Sequence, residues 1–152
     1  MVTEAFKSLL QELSASLNTN QLYPDEHDSC LLMLDETLKV QLEVDPSGQS
    51  LVIGIDLGPV VAGKYRFNVL REALKANDQS EPKTGTLAFA ENTQHLILFE
   101  TLPIKNLKGE TVSILVIKLK EKALIWMQAL SKSEVPVISD LSTSGKSGMF
   151  GL

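Results

Sequence analysis

Leu38-Lys39-Val40-Gln41-Leu42-Glu43-Val44-Asp45-Pro46-Ser47-Gly48-Gln49-Ser50-Leu51-Val52-Ile53-Gly54-Ile55-Asp56-Leu57 is the stretch that decides the fold. Apolar and polar residues alternate from its first position. Leu38, Val40, Leu42 and Val44 therefore share one face of a strand, while Lys39, Gln41, Glu43 and Asp45 wet the other. Asp45-Pro46-Ser47-Gly48 is turn chemistry, since proline presets φ and glycine accepts a positive φ. Alternation resumes at Leu51, Ile53, Ile55 and Leu57, which predicts a hairpin with one buried face.

Upstream, Cys30-Leu31-Leu32-Met33-Leu34 is apolar at every position and is set off by Asp35-Glu36-Thr37, which predicts a first strand covered on both sides. Before it, Phe6, Leu9, Leu10, Leu13 and Leu17 recur at helical spacing. They predict a helix over 4–17 with Thr3 as N-cap and Glu4 in the first turn, ended by Asn18-Thr19-Asn20. A polar loop with Pro24 follows.

Downstream, Gly58-Pro59 is expected to break the sheet. A middle helix then carries two neighbouring apolar stripes, Phe67, Leu70 and Leu74 beside Tyr65, Val69, Ala73 and Ala76, with Asn77 near its stop. Leu87 and Phe89 pair across Asn92-Thr93 with Leu96 and Leu98 as a second hairpin. Val112, Leu115, Val116, Leu119, Ala123, Trp126, Met127 and Leu130 define a long last helix. The order is α-β-β-β-α-β-β-α. Strands arriving as hairpins predict an α+β fold around an antiparallel five-stranded sheet. One domain is expected over 1–131, followed by a flexible Ser/Gly-rich tail over 132–152.

Composition narrows the function classes. At 152 residues, 43% hydrophobic and 22% charged, the chain has the makeup of one folded domain. Lys118, Lys120, Glu121 and Lys122 interrupt its longest apolar stretch, so no membrane insertion is expected. The start, Met1 to Lys7, shows no secretory signal, which predicts a cytoplasmic protein. A lone cysteine, Cys30, predicts a buried small hydrophobe and no disulfide. The net charge of −5 argues against nucleic acid. That charge is uneven: residues 1–60 carry ten acids against two lysines, a balance of −8.

Chemistry-bearing motifs are weak. Gly145-Lys146-Ser147 resembles the end of a phosphate-binding loop, but Asp140 stands where that loop needs glycine. Asp25-Glu26-His27-Asp28 offers metal-ligand types, yet consecutive side chains diverge and no second cluster completes a shell. No G-x-S-x-G pattern accompanies His27 or His95. No catalytic residue, metal or cofactor is expected. The middle helix is the informative feature, because one sheet face takes one stripe and the other must meet a second body. A homodimer is the simplest such body, and Val69→Glu or Leu70→Glu is expected to give monomers.

Helix, doubly apolar strand, wet-faced hairpin, two-striped helix, second hairpin and long final helix together resemble the class I type III secretion chaperones of the Tir-chaperone (CesT/SycE-like) family. The resemblance covers about 1–131. It implies a bacterial cytoplasmic homodimer, or a heterodimer with a second chaperone, that keeps secreted effector proteins extended and competent for type III secretion. The effector would add a strand to a sheet edge while its side chains enter shallow pockets. By position, the resemblance puts effector binding on Phe6, Leu9, Leu10, Leu13, Leu31 and Met33, and the dimer interface on Phe67, Val69, Leu70, Ala73 and Leu74. It predicts that Leu10→Asp or Met33→Asp keeps the fold and abolishes effector capture. The alternative is a non-enzymatic adaptor or regulatory α+β domain binding a folded partner or a second chaperone subunit.

Overall fold

The alternating register of 38–57 forms as a hairpin in the computed structural model of the chain, which describes residues 3–79 and 83–136. In chain order the elements are α1 (Glu4–Leu17), β1 (Ser29–Leu34), β2 (Leu38–Val44), β3 (Ser50–Pro59), α2 (Lys64–Asn77), β4 (Thr86–Ala90), β5 (His95–Pro103) and α3 (Gly109–Ser131). The sheet runs β1-β2-β3-β5-β4, with every neighbouring pair antiparallel. The class and element order are those expected.

Register aligns one apolar face across all five strands. Leu32 lies opposite Val40, Leu42 opposite Ile53, Ile55 opposite Leu98, and Leu98 opposite Leu87, all of them buried. Phe6, Leu10 and Leu13 of α1 and Val116, Leu119 and Trp126 of α3 join the same core. Each such side chain, taken out of water, contributes on the order of 2 kcal/mol. α1 packs on α3, α3 on β3, and α2 on β4.

The helix starts and stops follow local chemistry. Thr3 Oγ1 accepts from the Phe6 N–H at 3.3 Å, as an N-cap should. Asn18 takes the left-handed conformation, φ 54°, and ends α1 by donating its N–H to the Ala15 carbonyl. The Thr3 N–H donates to Asp28 Oδ1 at 2.9 Å, pinning the start of α1 to the loop that feeds β1.

Two elements depart from expectation. β1 is covered on one face only: Cys30 and Leu32 are buried, whereas Leu31 is 51% and Met33 43% exposed. The core cluster takes its helical residues to the face of Cys30 and Leu32, so the second apolar face of β1 meets none of them. Gly58-Pro59 does not break the sheet. A bulge between Asp56 and Gly58 absorbs one residue, Gly58 taking φ +111°, and pairing resumes at Gly58 with Leu96 and Pro59 with His95. After α3 the chain turns at Ser133, Val135 packs against the core, and the Tyr65 hydroxyl donates to the Glu134 carbonyl at 2.8 Å. The rest of the stretch expected to form a flexible tail, from residue 137 onward, lies outside the described residues.

Candidate functional site

An antiparallel strand directs the N–H and C=O of alternate residues to opposite sides. In β1 the even residues face β2, as the neighbouring bond from the Val44 N–H to the Asp28 carbonyl shows. Ser29, Leu31 and Met33 therefore turn their backbone groups away from the sheet. Ser29 is satisfied: its N–H donates to Asp25 Oδ1 at 3.0 Å and its carbonyl accepts from the Asp25 N–H at 2.8 Å. Leu31 and Met33 have no such partner among the described residues, and their side chains are also exposed. Backbone donors, backbone acceptors and apolar side chains thus coincide at one open edge.

The opposite edge is held by a side chain of α2. Asn77 at the end of α2 donates through Nδ2 to the Leu87 carbonyl and accepts through Oδ1 from the Leu87 N–H, both at 2.8 Å. One side-chain amide here imitates a ladder rung and covers β4 where α2 lies against it. Edge strands invite pairing with other chains; the Asn77 amide caps β4 at Leu87 as Asp25 caps β1 at Ser29, and the β1 stretch beyond that cap carries the exposed Leu31 and Met33.

Beside the β1 edge a cleft of about 340 Å³ opens between the end of α1, the strand and α3, lined by Leu17, Leu32, Met33, Leu34 and Ile117. Asp35 and Lys120 close its rim as an ion pair that ties the β1–β2 turn to α3. Asp35 and Glu36 both hold positive φ, 51° and 61°, the values a type I′ turn demands and asparagine or glycine meets more easily. Ile117 belongs to an exposed row on α3 with Ile114, Leu124 and Ile125.

The residues expected at the effector site divide. Phe6, Leu9, Leu10 and Leu13 are all buried at 4% exposure or less, in the core shared by the sheet and α3. α1 has a single apolar stripe, and the core takes it, so these four side chains line no open surface and Leu10→Asp is a core lesion. Leu31 and Met33 alone of that set reach solvent. The expected dimer set divides by helical phase: Val69 and Ala73 are buried, Leu70 is half-buried, and Phe67 and Leu74 are 64% and 69% exposed. Val69→Glu would therefore charge the core. Phe67 faces its own helix neighbour, with the Arg71 guanidinium 5.7 Å from its ring centroid.

Candidate chemistry elsewhere is absorbed by structure. Asp25 Oδ1 caps its own turn by accepting from the His27 and Ser29 N–H groups, and Asp28 accepts from Thr3. Among the described residues no three His, Cys, Asp or Glu side chains are grouped to hold a metal. His95 Nδ1 lies 2.7 Å from Asp56 Oδ1, in a pair where β5 meets the β3 bulge. Burial pushes the Cys30 thiol up, with Asp25 adding to the effect, so the group stays protonated and weakly nucleophilic. Burial pushes Lys122 down, helped by Lys83, while its Nζ donates to the Thr84 carbonyl at 2.8 Å. Gly145-Lys146-Ser147 lies outside the described residues. No helix among the described residues is long and apolar enough to cross a membrane.

Sequence reasoning missed Asn77, Lys120 and Ile117. Their roles depend on which strands end up at the edges, and no local periodicity encodes strand order.

Solved structures share this architecture. One from Yersinia pestis, the type III secretion chaperone SycH with a fragment of YscM2, aligns with TM-score 0.62 and 20% identity over 80% of this chain and 98% of that one. The HopA1–SchA chaperone–effector complex gives TM-score 0.67 and 23% identity over 82% and 94%. The ExsC–ExsE complex gives TM-score 0.70 and 22% identity over 86% and 97%. Comparison with curated proteins returns no match. The family model of the Tir chaperone protein (CesT) family matches residues 8–127, most of the α-β-β-β-α-β-β-α unit, and on that match the chain belongs to the Tir chaperone protein (CesT) family.

Proposed function

We propose that the chain binds a secreted effector by adding a segment of it as a strand along β1, and keeps that effector competent for type III secretion. The observation that carries this is the open edge at Leu31 and Met33, where unpaired backbone groups and exposed apolar side chains coincide beside the Ile117 cleft. Ordering a cargo backbone costs about 1–2 kcal/mol per residue, so strand pairing and apolar contact must offset it together. Flexible Met33 and the leucines around it suit cargo of varied sequence. Similar folds in other complexes support the assignment, among them the HopA1–SchA chaperone–effector complex and the heterodimeric ExoU–SpcU complex from the type III secretion system of Pseudomonas aeruginosa.

The protein works in the bacterial cytoplasm, without catalysis, as a homodimer joined through the outward stripe of α2. Residues 1–131 are the working unit. Phe67 and Leu74 are exposed apolar side chains on one helix, and a two-fold contact covers the same patch on both copies. Co-expression with secreted proteins of the same genome tests the reading. Wild type should retain a partner, and hydrogen exchange should show new protection at Leu31 and Met33. Capture with those two amides still exchanging freely would sink it.

A further inference from the structure

Ile114, Ile117, Leu124 and Ile125 fall within one arc of α3 about 100° wide, on the side away from Val116, Leu119 and Ala123, which the core takes. Each of the four is 43–50% exposed. A contiguous apolar row turned so fully outward marks a contact surface. It has two halves: Ile114 and Ile117, the latter lining the cleft beside Met33, and Leu124 and Ile125, about 10–12 Å further along the helix from Ile117. Exposed Glu121 stands between them.

The chain that follows α3 repeats this pattern in its sequence. Val137, Ile138 and Leu141 form one apolar group and Met149, Phe150 and Leu152 another, while the stretch from Ser142 to Gly148 holds no large apolar side chain and one cation, Lys146. Its starting point is fixed beside the row. Ser133 turns the chain, the Glu134 N–H donates to the Ala129 carbonyl at 2.8 Å, and Val135 packs on the core, while Ile125 lies only about 9 Å back along α3 from Ser131. From Leu141 to Met149 the backbone can reach about 26 Å, more than the gap between the two halves of the row.

We infer that residues 137–152 of the same chain cover this row when no cargo is bound: Val137, Ile138 and Leu141 lie on Leu124 and Ile125, Lys146 meets Glu121, and Met149 and Phe150 enter the Ile117 cleft. A tethered segment meets the row at an effective concentration that a separate molecule would have to supply in solution. The docking stands on α3 alone. Its consequence, that cargo reaches the cleft only by displacing Phe150, rests on the reading of β1 as the cargo edge.

The test uses the whole 152-residue chain with the photo-crosslinker benzoylphenylalanine in place of Phe150, irradiated without cargo. Mass spectrometry should find an adduct of single-chain mass on the peptide that holds Ile117 or Met33. Ile117→Asp, at a half-exposed site where a charge leaves the fold intact by circular dichroism, should lower its yield about tenfold. In fluorescence anisotropy a labelled twelve-residue peptide with a Val-Ile-Val core should bind the Met149→Asp, Phe150→Asp double variant about tenfold tighter than the unaltered chain, the gain expected where the segment leaves the cleft free about a tenth of the time. No adduct, an adduct elsewhere on the chain, or adducts only between two copies would overturn the docking, and peptide binding to the unaltered chain would then leave the β1 reading standing. Single-chain adducts at Ile117 with a peptide that binds neither form would uphold the docking and overturn the β1 reading. Such adducts with equal peptide affinities in both forms would overturn the displacement.

Discussion

Glu12 of α1 caps α3: its Oε1 accepts the Gly109 N–H at 2.8 Å, and a Cβ built on Gly109 would stand 2.4 Å from the Glu12 Cβ and 2.6 Å from the Leu13 nitrogen. Lys108 occupies the N-cap of α3 and supplies no side-chain cap, so a carboxylate from another helix satisfies the orphan donor and faces the positive end of the helix dipole. The two helices that roof the core touch here through a glycine.

Gly109→Ala forces backbone apart, since part of the clash is with main-chain atoms of α1. Overpacking of this kind costs about 2 kcal/mol and should lower Tm by roughly 4–8 °C in calorimetry. Glu12→Ala loses the cap alone, for about 1 kcal/mol.

Leu10→Asp and Met33→Asp should part company. Leu10 is 1% exposed, so a carboxylate there is buried without a partner and the chain should lose cooperative unfolding or express insoluble. Met33 is 43% exposed, so its aspartate variant should melt within about 1 kcal/mol of wild type while failing to capture effector. Circular dichroism with co-purification reads both. Effector capture by a folded Met33→Asp protein would refute the edge assignment.

Phe67→Glu and Leu74→Glu should halve the mass seen by light scattering with the helical signal kept, because both side chains are already in water within one chain. Val69→Glu should unfold instead, since Val69 is fully buried. An unchanged mass in the Phe67→Glu, Leu74→Glu double variant would remove the α2 interface.

Asn77→Ala deletes both hydrogen bonds that hold the Leu87 backbone. Stability should fall by about 2 kcal/mol, and the Leu87 amide should exchange faster than its neighbours in β5. Asn77→Asp keeps the acceptor for the Leu87 N–H but turns a second oxygen onto the Leu87 carbonyl, so it should not restore the stability of the asparagine.

Cys30 should resist alkylation in the native protein at pH 8 and react on unfolding, as burial holds its pKa above the ordinary thiol range. A raised folded pKa means the folded state keeps its proton longer than the unfolded one. The contribution is fully present below the unfolded thiol pKa and is lost as pH rises through the folded value. Cys30→Ser or Cys30→Ala should flatten that alkaline loss in chemical denaturation. Rapid native labelling at pH 8 would contradict the burial.

Much of the fold was legible because it rests on local period. Alternation at Leu38–Val44 and Leu51–Leu57, and three-four spacing from Phe6 to Leu17 and from Val112 to Leu130, specify element type and inward face within a few residues. Two apolar faces on one element were equally legible at β1 and α2. What sequence could not say is which face meets core and which meets solvent, since both read as hydrophobic. Strand order answered this: placing β1 at one edge left Leu31 and Met33 uncovered, and placing β4 at the other let α2 turn Val69 inward and Leu74 outward. The Asn77 cap and the Glu12–Gly109 contact join residues 10 and 97 apart in sequence. The sequence by itself determined element type, class and acidity, all set by neighbours along the chain; the binding edge was decided only by tertiary structure, because long-range pairing chooses which backbone groups are left without partners.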